Sequence, residues 1–161
     1  MISNGQTAGP ASAPALAEMP APDRSRVNIP LLLATMRHIE THPDLWWQED
    51  HRGPGPDGDI LDFAARAADL AGGRWAYDPI QRGAATQNYL EPEPGDDMSR
   101  AEPIDGRLLI GVWERAKRIL GLDDEDAAEL FRPDADLEDL QAVVAAVAGH
   151  PVPEPGTATP A

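Results

Sequence analysis

Apolar residues recur at helical spacing along five stretches of the chain, and strict alternation is rare. "NIPLLLATMRHIETHP" puts Leu32, Met36 and Ile39 on one face. Asn28 is placed to cap it, Pro30 fits its first turn, and Pro43 stops it near His42. "DILDFAARAADLAGG" carries a stripe of Ile60, Phe63, Ala64, Ala67 and Ala71, with Asp59 as cap and Gly72-Gly73 as terminator. In "DGRLLIGVWERAKRILG", Leu109, Val112, Trp113, Ala116 and Leu120 share a face, and Gly121 closes the pattern. "LDDEDAAELF" predicts a short helix capped by Asp123 or Asp124 and stopped by Pro133. "DLEDLQAVVAAVAGHP" predicts the last one, with Asp136 and Asp139 at capping-box spacing and Leu137, Leu140, Val144 and Val147 along one side.

Residues 1–26 hold Pro10, Pro14, Pro20 and Pro22 among small side chains, with too little apolar bulk to offset the entropy of ordering them. They are expected to form a disordered tail, as are residues 151–161 with Pro151, Pro153, Pro155 and Pro160. Between them, residues 27–150 are expected to form one compact all-α domain of about five helices. A long irregular connection over 74–103 interrupts it. Trp75, Tyr77, Ile80, Tyr89 and Leu90 mark its first half as a segment that packs or binds, whereas "EPEPGDD" has the composition of solvated linker.

The formal charge of −15 repels phosphate backbones and acidic membrane faces, so no DNA, RNA or membrane partner is expected, and a partner with a basic surface is favoured. With no cysteine, the chain has no disulfide, thiolate metal site or cysteine nucleophile. No apolar run reaches the roughly 18–20 residues of a spanning helix, and the first residues have neither a basic nor an apolar leader region. A cytoplasmic location is therefore expected.

Chemistry concentrates in "HIETHPDLWWQEDH". His38 and His42 lie four apart, the spacing of zinc-binding helices, and His51, Glu49 or Asp50 can supply a third ligand. Against this, Glu40 is on a different face from the base of such sites, and a histidine in a last helical turn is accounted for by the exposed carbonyls there. Burial of at least one of Trp46 and Trp47 is expected, and an exposed tryptophan is a natural anchor for a ligand or partner. His150 belongs to no pattern. The pairs Glu49/Asp50, Asp96/Asp97 and Asp123/Asp124 read as caps or solvated acids, since acid–base work requires desolvation that separates two pKa values. "WERAKRILGLDDEDAAELF" has the outline of a helix-turn-helix, but residues 121–140 hold nine acids and one base, Arg132. Such a face repels DNA; it can suit a basic protein surface, and the simpler reading, which is favoured, is a well-capped helix pair with a solvated exterior.

The order of these motifs resembles a group of small helical proteins from actinobacteria and their phages. The shared H-P-x-x-W-x-Q pattern falls on His42, Pro43, Trp46 and Gln48. The F-A-x-x-A-x-x-L-A-G pattern covers Phe63, Ala64, Ala67, Leu70, Ala71 and Gly72. The A-x-x-x-L-G-L and A-x-x-L-F patterns fall on Ala116, Leu120, Gly121, Leu122, Ala127, Leu130 and Phe131. Members of that group often have cysteines ahead of the F-A helix, which "GPDGDI" lacks, and a shorter connection than 74–103. The resemblance implies an all-helical domain in an actinobacterial or phage setting and supplies no catalytic residue.

The resulting expectation is a non-enzymatic interaction or regulatory module without a cofactor. It would meet a protein partner through Trp47, His51, Asp123, Asp124, Asp126 and Glu129. The alternatives are a metal-dependent hydrolase built on His38, His42 and His51, and a small-molecule site under the 74–103 connection.

Overall fold

The computed structural model describes residues 24–49, 51–55, 58–76 and 88–149. The expectations for residues 1–23, Asp50, Tyr77, Ile80, His150 and 151–161 lie outside the described residues. Among the described residues there are five α-helices. Helix α1 (Ile29–Thr41) starts on Asn28, whose side chain accepts from the Leu31 N–H at 3.2 Å, and ends ahead of a 3₁₀ turn over Pro43–Leu45. Helix α2 (Phe63–Leu70) is capped by Asp62, three residues later than the periodicity predicts. Helix α3 (Val112–Leu120) ends on Gly121. Helix α4 (Asp124–Leu130) is capped by Asp123, and α5 (Leu137–Ala148) opens with the Asp136–Asp139 capping box.

The chain is nevertheless not all-α. A hairpin of β1 (Arg52–Gly55) and β2 (Gly58–Leu61) runs into α2. A second antiparallel sheet, in the order β3-β5-β4, combines β3 (Tyr89–Leu90), β4 (Glu102–Ile104) and β5 (Arg107–Gly111), and β5 runs into α3. Two of these strands escape a periodicity reading because "GDIL" and "RLLIG" stand directly before helices and in phase with their apolar stripes. Ile60 and Leu109 thus extend the helical pattern although both belong to strands. The local turn chemistry is the better guide. Asp105 and Gly106 both have positive φ, 50° and 77°, as a two-residue Asp-Gly hairpin turn requires. Pro54 and Pro103 occupy the outer strands β1 and β4, where a missing N–H is tolerated.

Helix α2 packs on α3 and α1, α1 on α5, and α5 on α4. Ala64, Ala65, Ala67 and Ala68 are fully buried, so α2 meets its neighbours with little side-chain bulk between the backbones. Leu32, Ile39, Phe63, Leu90, Leu120, Leu130 and Leu140 fill the core around it. Gly121 has φ +67°, and a Cβ there would collide with the Arg26 carbonyl. The chain entering α1 therefore crosses the end of α3 at a position only glycine accommodates, and the Asn28 N–H donates to the Leu120 carbonyl at 2.8 Å. None of the described helices is long and apolar enough to cross a membrane.

Where it is described, over 74–76 and 88–103, the connection is not irregular. It holds β3, the start of β4 and a 3₁₀ turn over Met98–Arg100, and Trp75 bridges to Leu90. "EPEPGDD" is anchored rather than solvated, because its Asp96 side chain is 2% exposed against an Arg115 side chain that is 1% exposed. Arg115 donates from Nε and Nη2 to the two Asp96 oxygens, at 2.9 and 2.6 Å, and from Nη2 to the Glu91 carbonyl at 2.8 Å. Burial pushes the Asp96 carboxyl up. The Arg115 bonds, the Glu93 N–H and the charges of Arg115 and Arg118 outweigh it and hold that carboxyl below its usual range. Two prolines and a glycine, Pro92, Pro94 and Gly95, hide this role from composition.

Removing one partner leaves the other buried and uncompensated, so Arg115→Ala is expected to cost about 3–5 kcal/mol in chemical denaturation. Asp96 has a folded pKa below its unfolded one, so its contribution is present above the unfolded value and is lost as pH falls through the folded one. In Arg115→Ala, the acid limb of the stability profile should lose that component.

Candidate functional site

The cap of α2, the first turn of α3 and the last turn of α4 border a cleft of about 740 Å³. Gln48, Glu49, His51 and Asp62 form one wall, at the junction of the post-α1 turn with α2. Asn88, Tyr89 and Glu102 of the three-stranded sheet form another. Val112 and Trp113 of α3 meet Phe131 at the floor, where the Trp113 and Phe131 rings are edge to face with centroids 5.8 Å apart. Arg132 and Pro133 complete the α4 side.

Gln48 explains why these elements converge. Its amide is buried, and every atom of it has a task. The Oε1 accepts from the Trp46 indole Nε1–H at 3.0 Å and from the Phe63 N–H at 3.2 Å, while Nε2 donates to the Leu130 carbonyl at 3.0 Å. Two donors fix the oxygen and one acceptor fixes the nitrogen, so the amide has a single orientation. Phe63 N–H belongs to the open first turn of α2, and Leu130 C=O to the open last turn of α4, groups that helices cannot satisfy internally. One side chain thus ties the post-α1 turn to both helix ends. Trp46 packs against the core beside it, whereas Trp47 is 55% exposed and outside the cleft lining.

His51 and Asp62 form the second polar node. The Asp62 Oδ2 is 2.5 Å from His51 Nδ1, its Oδ1 accepts from the Ala65 N–H at 2.7 Å, and the Asp62 N–H donates to the His51 carbonyl at 3.2 Å. Across the cleft, the Tyr89 hydroxyl donates to the Glu102 carboxylate. That bond, together with burial and the Glu102 charge, raises the Tyr89 pKa above its ordinary value, so the phenol stays protonated. Glu49 and Glu102 are exposed carboxylates. The guanidinium of Arg132 is surrounded by acids of its own, within 3.4 Å of Glu129, 2.7 Å of Asp134 and 3.2 Å of Asp139.

The structure places the other expected site residues apart from this cleft. His38 and His42 stack at 4.5 Å, and His42 Nδ1 lies 3.2 Å from the His38 carbonyl. His51 faces Asp62 instead of joining them, and among the described residues no group of three or more His, Asp or Glu is arranged to hold a metal ion. The acids of α4 are largely engaged within the chain. Asp123 caps the Asp126 N–H at 2.8 Å, Asp124 pairs with Lys117, and buried Asp126 takes both Arg24 Nε and Nη2 at 3.0 Å. Glu129 pairs with Arg132. Asp62, Glu102, Trp113 and Arg132 are not singled out as site residues by the sequence, whereas Tyr89 is among the residues that mark its stretch as one that packs or binds. Gln48 had a signal there, since it closes the H-P-x-x-W-x-Q pattern.

No protein-family model, curated protein or solved structure matches the chain, so the geometry carries the functional reading.

Gln48→Ala should strand two buried backbone groups at about 1–3 kcal/mol each, besides the part-buried Trp46 indole N–H, read as a lowered midpoint in denaturant together with exchange broadening at the Phe63 amide. A second expectation concerns His38. Burial, then the charges of Arg66 and His42, lower its pKa from the ordinary 6.5. The folded state therefore resists protonation there, and stability present above about 6.5 falls as the pH drops towards the folded pKa. A ring-proton titration should give a His38 midpoint below the ordinary 6.5.

Proposed function

We propose that the chain is a non-enzymatic interaction module and that the cleft is its docking site for a basic segment of a protein partner. The observation that carries this reading is the pairing of exposed carboxylates, Glu49 and Glu102, with an aromatic floor in one open cleft. A hot spot of this kind gains affinity from apolar contact at its centre and selects its partner by charge at its rim. Arg132 adds little opposing charge because three acids already surround it. The chain's charge of −15 would draw a basic partner towards it at range and repel nucleic acid.

The docking site differs from the acidic α4 face expected from the sequence for a physical reason. Asp123 and Asp126 are committed to a cap and a guanidinium, and displacing such contacts would cost the fold what the partner gains. His51 stays within the proposed site, as a cleft residue held by Asp62.

The test is a titration of isotope-labelled full chain with a blocked Gly-Arg-Gly-Lys-Gly peptide at low salt. Amide shifts at Asn88, Tyr89, Gly111 and Trp113 are expected, weakening with added salt, and a Gly-Glu-Gly-Asp-Gly control should leave them in place. Shifts confined to Asp124, Glu125 and Glu129 would return the docking site to the α4 face, and equal responses to both peptides would defeat the charge argument.

A further inference from the structure

Resting on that docking site, we infer that the side chain it selects is an arginine in preference to a lysine. Two aspects of the cleft converge on a planar cation. Its acceptors come from separate elements: Glu49 from the turn before β1, Glu102 from β4 and Asn88 from the residue before β3. A guanidinium offers five donors in one plane and can address acceptors on two walls at once, whereas an ammonium offers three from a single point.

The second aspect is the apolar content. Trp113, Phe131 and Tyr89 all line the cleft, although the whole chain has only eight aromatic residues (four Trp, two Tyr and two Phe). Entering such a site strips water from the cation. That step is easier for the weakly hydrated guanidinium, which also stacks on ring faces and edges, than for the strongly hydrated ammonium.

A guanidinium can take a carboxylate at its fork while its plane lies against the Trp113 and Phe131 rings, which stand edge to face with centroids 5.8 Å apart.

The experiment uses the labelled full chain and two separate probes of equal charge, blocked Gly-Arg-Gly and blocked Gly-Lys-Gly, followed at Asn88, Tyr89 and Trp113. The arginine peptide should bind roughly tenfold more tightly, and Glu102→Gln should remove most of that preference while leaving the amide spectrum of the core unchanged. Equal affinities, or tighter binding of the lysine peptide, would overturn the arginine assignment while leaving a basic docking site intact. A preference that survives Glu102→Gln undiminished would overturn the role given to that carboxylate. Silence with both peptides would overturn the docking reading itself, and this inference with it.

Discussion

The arrangement depends on one buried amide. A helix end presents N–H or C=O groups that the helix cannot pair, and here the start of α2 and the end of α4 are brought together around the buried Gln48 amide. An apolar residue there would leave both ends unpaired, and a charged one would have to be desolvated. Gln48 offers an acceptor and a donor without charge, and it meets the Trp46 indole at the same time. Because the amide has one workable orientation, it sets the distance between the two helix ends as well as joining them. The cleft is the space that remains on the solvent side of this junction, and Gln48 itself forms part of its wall.

The distribution of charge follows from the same economy of buried groups. A chain with a formal charge of −15 must either spread its acids or neutralise them. Helix caps take Asp62, Asp123 and Asp136, buried guanidinium pairs take Asp96 and Asp126, and Glu129, Asp134 and Asp139 encircle Arg132. Glu49 and Glu102 stand at the cleft without a cap or guanidinium role of that kind in the described fold, which is why the proposed docking chemistry rests on them and not on the denser acids of α4. Clustered acids along a sequence are therefore a poor guide to a negative surface when each is a cap or an ion-pair partner.

The helices were legible because their boundaries are local events. Asn28, Asp123 and the Asp136–Asp139 box each act within one turn of themselves, and Gly121 marks the end of α3 through its own positive φ. The strands were not, because four or five residues that lead straight into a helix present the same apolar spacing as an extra helical turn. Asp105-Gly106 held the correcting signal, and reading it as a hairpin turn would have ended the all-α interpretation. The cleft was legible only in part. His51 stood out as a residue without a structural explanation, and it lines the site. Its partner Asp62 lies eleven residues on, at a cap position the periodicity put at Asp59. Glu102 and Tyr89 meet only through the pairing of β3 and β4 with β5, a long-range register that no local pattern encodes. Asp96 was misjudged for the same reason, its partner Arg115 being nineteen residues away on another element.

The central claim is that a cation enters the cleft and rests on its aromatic floor. Intermolecular nuclear Overhauser contacts between a bound arginine peptide and the labelled chain test it most directly. Contacts from the arginine methylenes to the Trp113 and Phe131 rings, with none to the exposed side of α4, are the predicted result. Contacts centred on Asp124 and Glu125, with the two rings silent, would contradict the account.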